Sequence, residues 1–145
     1  MLRGCFDRRA VRVCLSVLED LTDDASVRAE CAEALGYRLQ GVSWLVAPAA
    51  DDGLARRVGE ALGQGLGDPS AQVRFWSVYS VGVLGQRQHS SALKRLRDSD
   101  REVIPGMWSV AEEAQDVLAV LAGAPWPERV GTPRTDLALA PEQPR

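Results

Sequence analysis

The chain has 145 residues, 46% hydrophobic and 26% charged, enough for one domain with a buried core and unlike the composition of a disordered chain. A formal net charge of −3 argues against nucleic acid or an anionic membrane as partner, and no apolar run approaches membrane-spanning length. The opening MLRGCFDRR has no apolar signal region, and the cysteines, Cys5, Cys14 and Cys31, are odd in number; both point to an unexported, cytoplasmic protein with reduced thiols.

In chain order, the first amphipathic segment runs from Val11 to Leu21 and leads into a turn with Asp23 and Asp24. Asp24 is placed to cap a second helix, in which Val27, Cys31, Ala34 and Leu35 form an apolar stripe of mostly small residues that suits close helix approach. The segment 41–52, GVSWLVAPAADD, is too apolar for a free linker and is expected to fold back over the helices. Leu54 to Leu66 is the next amphipathic helix, and Ser70, after Asp68 and Pro69, caps a fourth whose stripe is Val73, Ser77, Val78, Val81 and Leu84. Ala92 to Leu96 is amphipathic again. Then REVIPGM, 101–107, interrupts the pattern before Ser109 and Glu112 form a capping box for a last helix. From Gly123 onward the chain is proline-rich. Trp126 is expected to dock on the last helix, and the rest of the tail has too little to bury to offset its ordering entropy.

One unit recurs along this path. VRAECAEALG, Val27 to Gly36, returns as VRFWSVYSVG, Val73 to Gly82, and more weakly as VAEEAQDVLA, Val110 to Ala119. A unit that recurs in this way cannot close its own core and must stack on its copies. Each copy follows a second amphipathic segment and an Asp-containing turn, so the expected fold is all-α: a short α-solenoid of about three antiparallel helix pairs over residues 1–122, with an insertion at 41–52 and a tail at 123–145.

The run DDASVRAECAEALG, and less closely GDPSAQVRFWSVYSVG, resembles the HEAT repeat, particularly the short HEAT-like class first described in phycobilisome lyases. The third copy departs from it, since Ala111 stands where the family has Arg. The resemblance implies right-handed superhelical stacking, with Arg28 and Arg74 paired to turn carboxylates, for which Asp23, Asp24 and Asp68 are at hand. It also implies that the third, fourth and seventh positions of each copy face a concave groove. These are Ala29, Glu30 and Glu33, then Phe75, Trp76 and Tyr79, then Glu112, Glu113 and Asp116. An aromatic cluster would then lie between carboxylates on both neighbouring helices. Against this stands the plainer reading, with Phe75 wedged between helices and the carboxylates a solvated face. Trp108 is placed either to join the groove or to cover the end of the stack.

Catalytic chemistry finds no constellation. His89 is the single histidine, no cysteine pair has zinc spacing, and Gly63 to Gly67 ends a helix where a phosphate loop would open one. The expectation is a non-enzymatic module without cofactor, binding a basic protein or peptide through Glu30, Glu33, Phe75, Trp76, Tyr79, Glu113 and Asp116, as an adaptor, regulator or immunity-type inhibitor. The alternative, carried by the repeat subtype alone, is an enzyme-accessory or lyase-like protein handling a chromophore or small hydrophobic ligand. DNA or modified-base recognition needs a basic surface, and the charges here run the other way.

Overall fold

The computed structural model describes residues 6–128; the expectations for Cys5, the first residues and the tail beyond Glu128 lie outside them. Among the described residues there are seven helices and no strand, so the fold is all-α. A single isolated bridge joins Val103 to Ser109.

Helix α1 (Arg8–Glu19) begins where Asp7 accepts a hydrogen bond from the Ala10 amide and buries Val11, Leu15 and Leu18, one face at helical spacing. Asp24 caps α2 (Ala25–Leu39) by accepting from the Ser26 and Val27 amides. The stripe on α2 differs from the expected one. Val27 is 42% exposed, and Ala29, Ala32, Leu35 and Leu39 form the buried line. The helix is pressed between α1 and α5, and Val27 lies in its first turn, off both contact lines. Its counterpart Val73 is fully buried on α5.

The insertion at 41–52 folds into a short turn of helix, α3 (Ser43–Val46), which lays Trp44 and Leu45 half-buried against the core. Asp52 then caps α4 (Gly53–Gly65) through the Leu54 and Ala55 amides, both at 3.1 Å, while its carboxylate takes a 2.7 Å hydrogen bond from Arg8. Ser70 occupies the cap position of α5 (Ala71–Val83) but its side chain makes no cap bond, a departure from expectation; Asp68 accepts from the Ser70 amide at 2.8 Å and orders the turn in its place. His89 sits in a 3₁₀ turn, Arg87–His89, ahead of α6 (Ser90–Ser99), its Nε2 2.9 Å from the Gly59 carbonyl. Before α7 (Val110–Leu121), Met107 donates back to the Ile104 carbonyl across Pro105 and Gly106, and the expected Ser109–Glu112 capping box is formed.

The helices pair along the chain, α1 with α2, α4 with α5, α6 with α7, and the second members pack in a row, α2 on α5 and α5 on α7. Small residues let this row close up. A Cβ on Gly36 would fall 2.8 Å from the Ser80 Cα, and Ser80 Oγ donates to the Ala32 carbonyl while accepting from the Gly36 amide. Two arginines tie successive pairs together. Arg28 forms a buried ion pair with Asp68, in the turn of the next pair, and Arg74 reaches Asp100 at 2.7 Å and Glu102 at 2.8 Å, in the turn after that. Arg74 also donates to the Asp68 carbonyl at 2.8 Å.

Candidate functional site

Because α5 lies in the middle of the row, its residues are framed by α2 on one flank and α7 on the other. Phe75, Trp76 and Tyr79 lie within one turn of α5, and their rings pack edge-on: 5.1 Å between the Phe75 and Trp76 centroids, 5.4 Å between Trp76 and Tyr79. The run extends at both ends. Trp108, delivered by the turn ahead of α7, lies 5.8 Å from Phe75. At the other end Gly123 (φ +107°) adopts the left-handed conformation that closes α7, with the Ala124 amide donating to Ala119 and the Gly123 amide to Val120. The chain thereby reverses and brings Trp126 back to 6.0 Å from Tyr79. Five aromatic rings are thus in continuous contact.

These rings wall a cavity of about 330 Å³. Glu33 of α2 and Glu113 and Asp116 of α7 also line it, so the carboxylates come from both flanking helices. Phe75 is 1% exposed and forms the floor, wedged between the helices as the plainer reading has it and not projecting into the groove. Glu113 is 3% exposed and accepts a 2.6 Å hydrogen bond from Trp108 Nε1, which fixes the indole against the cavity. Burial, and then the neighbouring Glu30, push the Glu33 carboxyl above its usual range. Burial also raises the Tyr79 phenol, with Glu33 and Glu113 adding to it. Among the described residues no Lys, Arg or His lines the cavity.

The structure therefore brings Glu33, Phe75, Trp76, Tyr79, Glu113 and Asp116 to one place. Glu30 is exposed and does not line it. Of the other positions thought to face the groove, Ala29 is buried, and the Glu112 carboxylate accepts from the Ser109 amide at 3.0 Å. Four lining residues were not placed in the groove by the sequence reading: Trp126, expected only to dock on the last helix, and Tyr37, Met107 and Pro127. Tyr37 had a findable signal, since it follows Glu33 by one helical turn on the same face, but it lies just past the repeated decapeptide. It is 67% exposed and stands at the rim, with Arg38 5.8 Å from its ring. Met107 and Pro127 carry no periodic signal.

Among the described residues no group of His, Cys, Asp or Glu is arranged to hold a metal ion. Cys14 and Cys31 are free and half-buried, with the Cys31 thiol pushed up to about 12 by burial and the neighbouring Cys14, the reverse of what a nucleophilic thiolate needs. A second cavity, about 630 Å³, lies between the α3 segment and the loop after α5, lined by Asp52, Arg56, Gln86 and Arg87 among others. No family model matches the chain, and no curated protein matches it. The chemistry of the aromatic cavity is left to carry the functional reading.

Proposed function

We propose that the chain is a short α-solenoid of HEAT-like type, with three antiparallel helix pairs, and acts as a non-enzymatic binding module for a basic protein or peptide. The packing of α2, α5 and α7 in a row and the two arginines that reach the following turns support the solenoid reading. One observation carries the binding reading: five aromatic rings and three carboxylates converge on a cavity that no cationic side chain of the described residues lines. Aromatic anchors supply most of the energy of a typical protein interface, and complementary charge supplies orientation and association rate. A basic partner satisfies both. The same field repels phosphates, which argues against nucleic acid.

Within this reading the protein is a cytoplasmic adaptor, a regulator, or an immunity-type inhibitor that occludes a cationic toxin or nuclease. The apolar share of the cavity wall also suits a chromophore or small hydrophobic ligand, the enzyme-accessory alternative; the three carboxylates weigh against it. Selection from a random peptide library on the intact protein, counter-selected on a Trp76→Ala, Tyr79→Ala variant, separates the two. Enrichment of Lys and Arg around an apolar residue is the expected outcome. Enrichment of uncharged or acidic sequences, or recovery of the same sequences on the variant, contradicts it.

A further inference from the structure

The cavity is specific in what kind of cation it suits. Its walls are largely indole and phenol rings, whose faces attract a cation but give it no hydrogen bonds. Its carboxylates come from both flanking helices: Glu33 on one side, with no hydrogen bond or ion pair among the described residues, and on the other Asp116 and the buried Glu113, which already accepts from Trp108. An ammonium is compact and strongly hydrated, and loses water among rings that cannot replace it. A quaternary ammonium is at ease among rings but has no N–H to offer a carboxylate. A guanidinium meets both demands, being planar and weakly hydrated on its faces, with donors directed outward from its edge.

The chain already builds this arrangement once, for an arginine of its own. Arg8 lies 4.3 Å over the Trp44 ring while donating to both carboxylate oxygens of Asp52, at 2.7 and 3.3 Å. Ring beneath, carboxylate at the edge, guanidinium between: the groove offers the first two without the third.

We propose that the cavity across α5 is an anchor for one arginine side chain of the basic partner, its guanidinium lying among the Trp76, Tyr79 and Trp108 rings and donating to Glu33. The inference rests on the groove being the binding surface. It goes further in assigning the residue that enters. Lysine-rich partners bind by charge alone, and the arginine decides register.

Four uncharged Gly-Ser peptides differing only in a central Arg, Lys, trimethyllysine or citrulline test this, titrated against the protein while its indole N–H resonances are followed. Trp44, already engaged by Arg8 and outside the cavity, is the internal control. The Arg peptide is expected to shift the Trp76, Trp108 and Trp126 signals and leave Trp44 in place. Its affinity should exceed those of the Lys and trimethyllysine peptides by about fivefold and that of the uncharged citrulline peptide by about tenfold or more. Glu33→Gln, at a half-buried position with no partner to lose, should keep the fold and bring the Arg affinity down towards that of citrulline. Equal binding of Arg and Lys, tighter binding of trimethyllysine, or an unaffected Glu33→Gln variant overturns the arginine assignment and leaves the basic groove standing. Shifts confined to Trp44, or none with any peptide, overturn both.

Discussion

Arg28 and Asp68 show how much a single pair carries in this fold. Their side chains are 6% and 3% exposed, and Arg28 also donates to the Asp23 carbonyl at 3.2 Å, so the guanidinium bridges two turns. Arg28→Ala leaves the Asp68 carboxylate buried and unpaired, a loss of about 3–5 kcal/mol. Arg57→Ala removes an ion pair with Glu19 whose side chains are 35% and 32% exposed, worth about 0–1 kcal/mol. Thermal melts of the two variants should differ clearly, with only Arg28→Ala falling well below the parent; equal melting temperatures would mean that the buried pair is not a tie between successive helix pairs. Arg28 and Arg74 were legible as structural residues from the VR motif and its resemblance to the HEAT repeat. Asp68 was one of three partners in view for Arg28, but Asp100 was not in view for Arg74, because it lies beyond α6 in the next turn. Glu33 yields a second expectation. Burial and Glu30 raise its carboxyl, with Tyr79 on α5 and Glu113 and Asp116 on α7 sharing the cavity. A carboxyl whose folded value lies above the unfolded one, about 4.3, holds its proton more tightly when folded, so this group adds stability as pH falls through that window. A side-chain carbon titration should give Glu33 a midpoint above the ordinary glutamate value, and bound basic peptide should lower it; a midpoint at or below that value contradicts the burial seen here.

At the level of helices, close approach is where small changes tell. Gly36→Ala gains helix propensity, about 1 kcal/mol, but the new Cβ would sit 2.8 Å from the Ser80 Cα, backbone that a rotamer change cannot move. Overpacking of this kind typically costs about 1–3 kcal/mol, so the steric term outweighs the propensity gain. The melting temperature should fall, and a rise would show that α2 and α5 slide apart freely. Ser77 on the same helix as Ser80 is the opposite case: its Oγ is buried with no hydrogen-bond partner among the described residues, so Ser77→Ala removes an unsatisfied polar atom and should hold or raise the melting temperature. A clear drop would reveal a hydrogen bond at Ser77. Helical periodicity located α1, α2, α4, α5 and α7 and the central part of α6, and the capping box fixed the start of α7 despite the Pro105-Gly106 turn. The buried face of α2 was not legible. Periodicity shows that a face exists, but which line is covered depends on neighbours: α2 is covered chiefly by α1 and α5, whereas α5 is covered by α4 and by α2 and α7 on its flanks.

For the whole molecule, the groove exists because three helices and a returning segment each contribute a wall. The repeat alignment brought most of these residues together on paper, since equivalent positions on stacked copies share a surface. Tyr37 and Pro127 lay outside the aligned windows, and Glu30 lay inside one yet is exposed and does not line the cavity, although its repeat equivalent Trp76 does. The contrast between Glu30 and Glu33 supplies the most direct test of the central claim, that a basic partner binds in this cavity and not merely to an acidic surface. Glu30 and Glu33 are neighbours on α2 and change net charge equally when reversed, but only Glu33 lines the cavity. Association and dissociation rates of one selected basic peptide should be measured for Glu30→Lys and Glu33→Lys at low salt and at 0.15 M, where the Debye length is about 8 Å. Glu30→Lys should slow association about two- to threefold at low salt, a difference that salt removes, while Glu33→Lys should also speed dissociation and weaken binding about tenfold or more at both salts. Equal effects of the two reversals, disappearing together as salt rises, would contradict binding in the cavity.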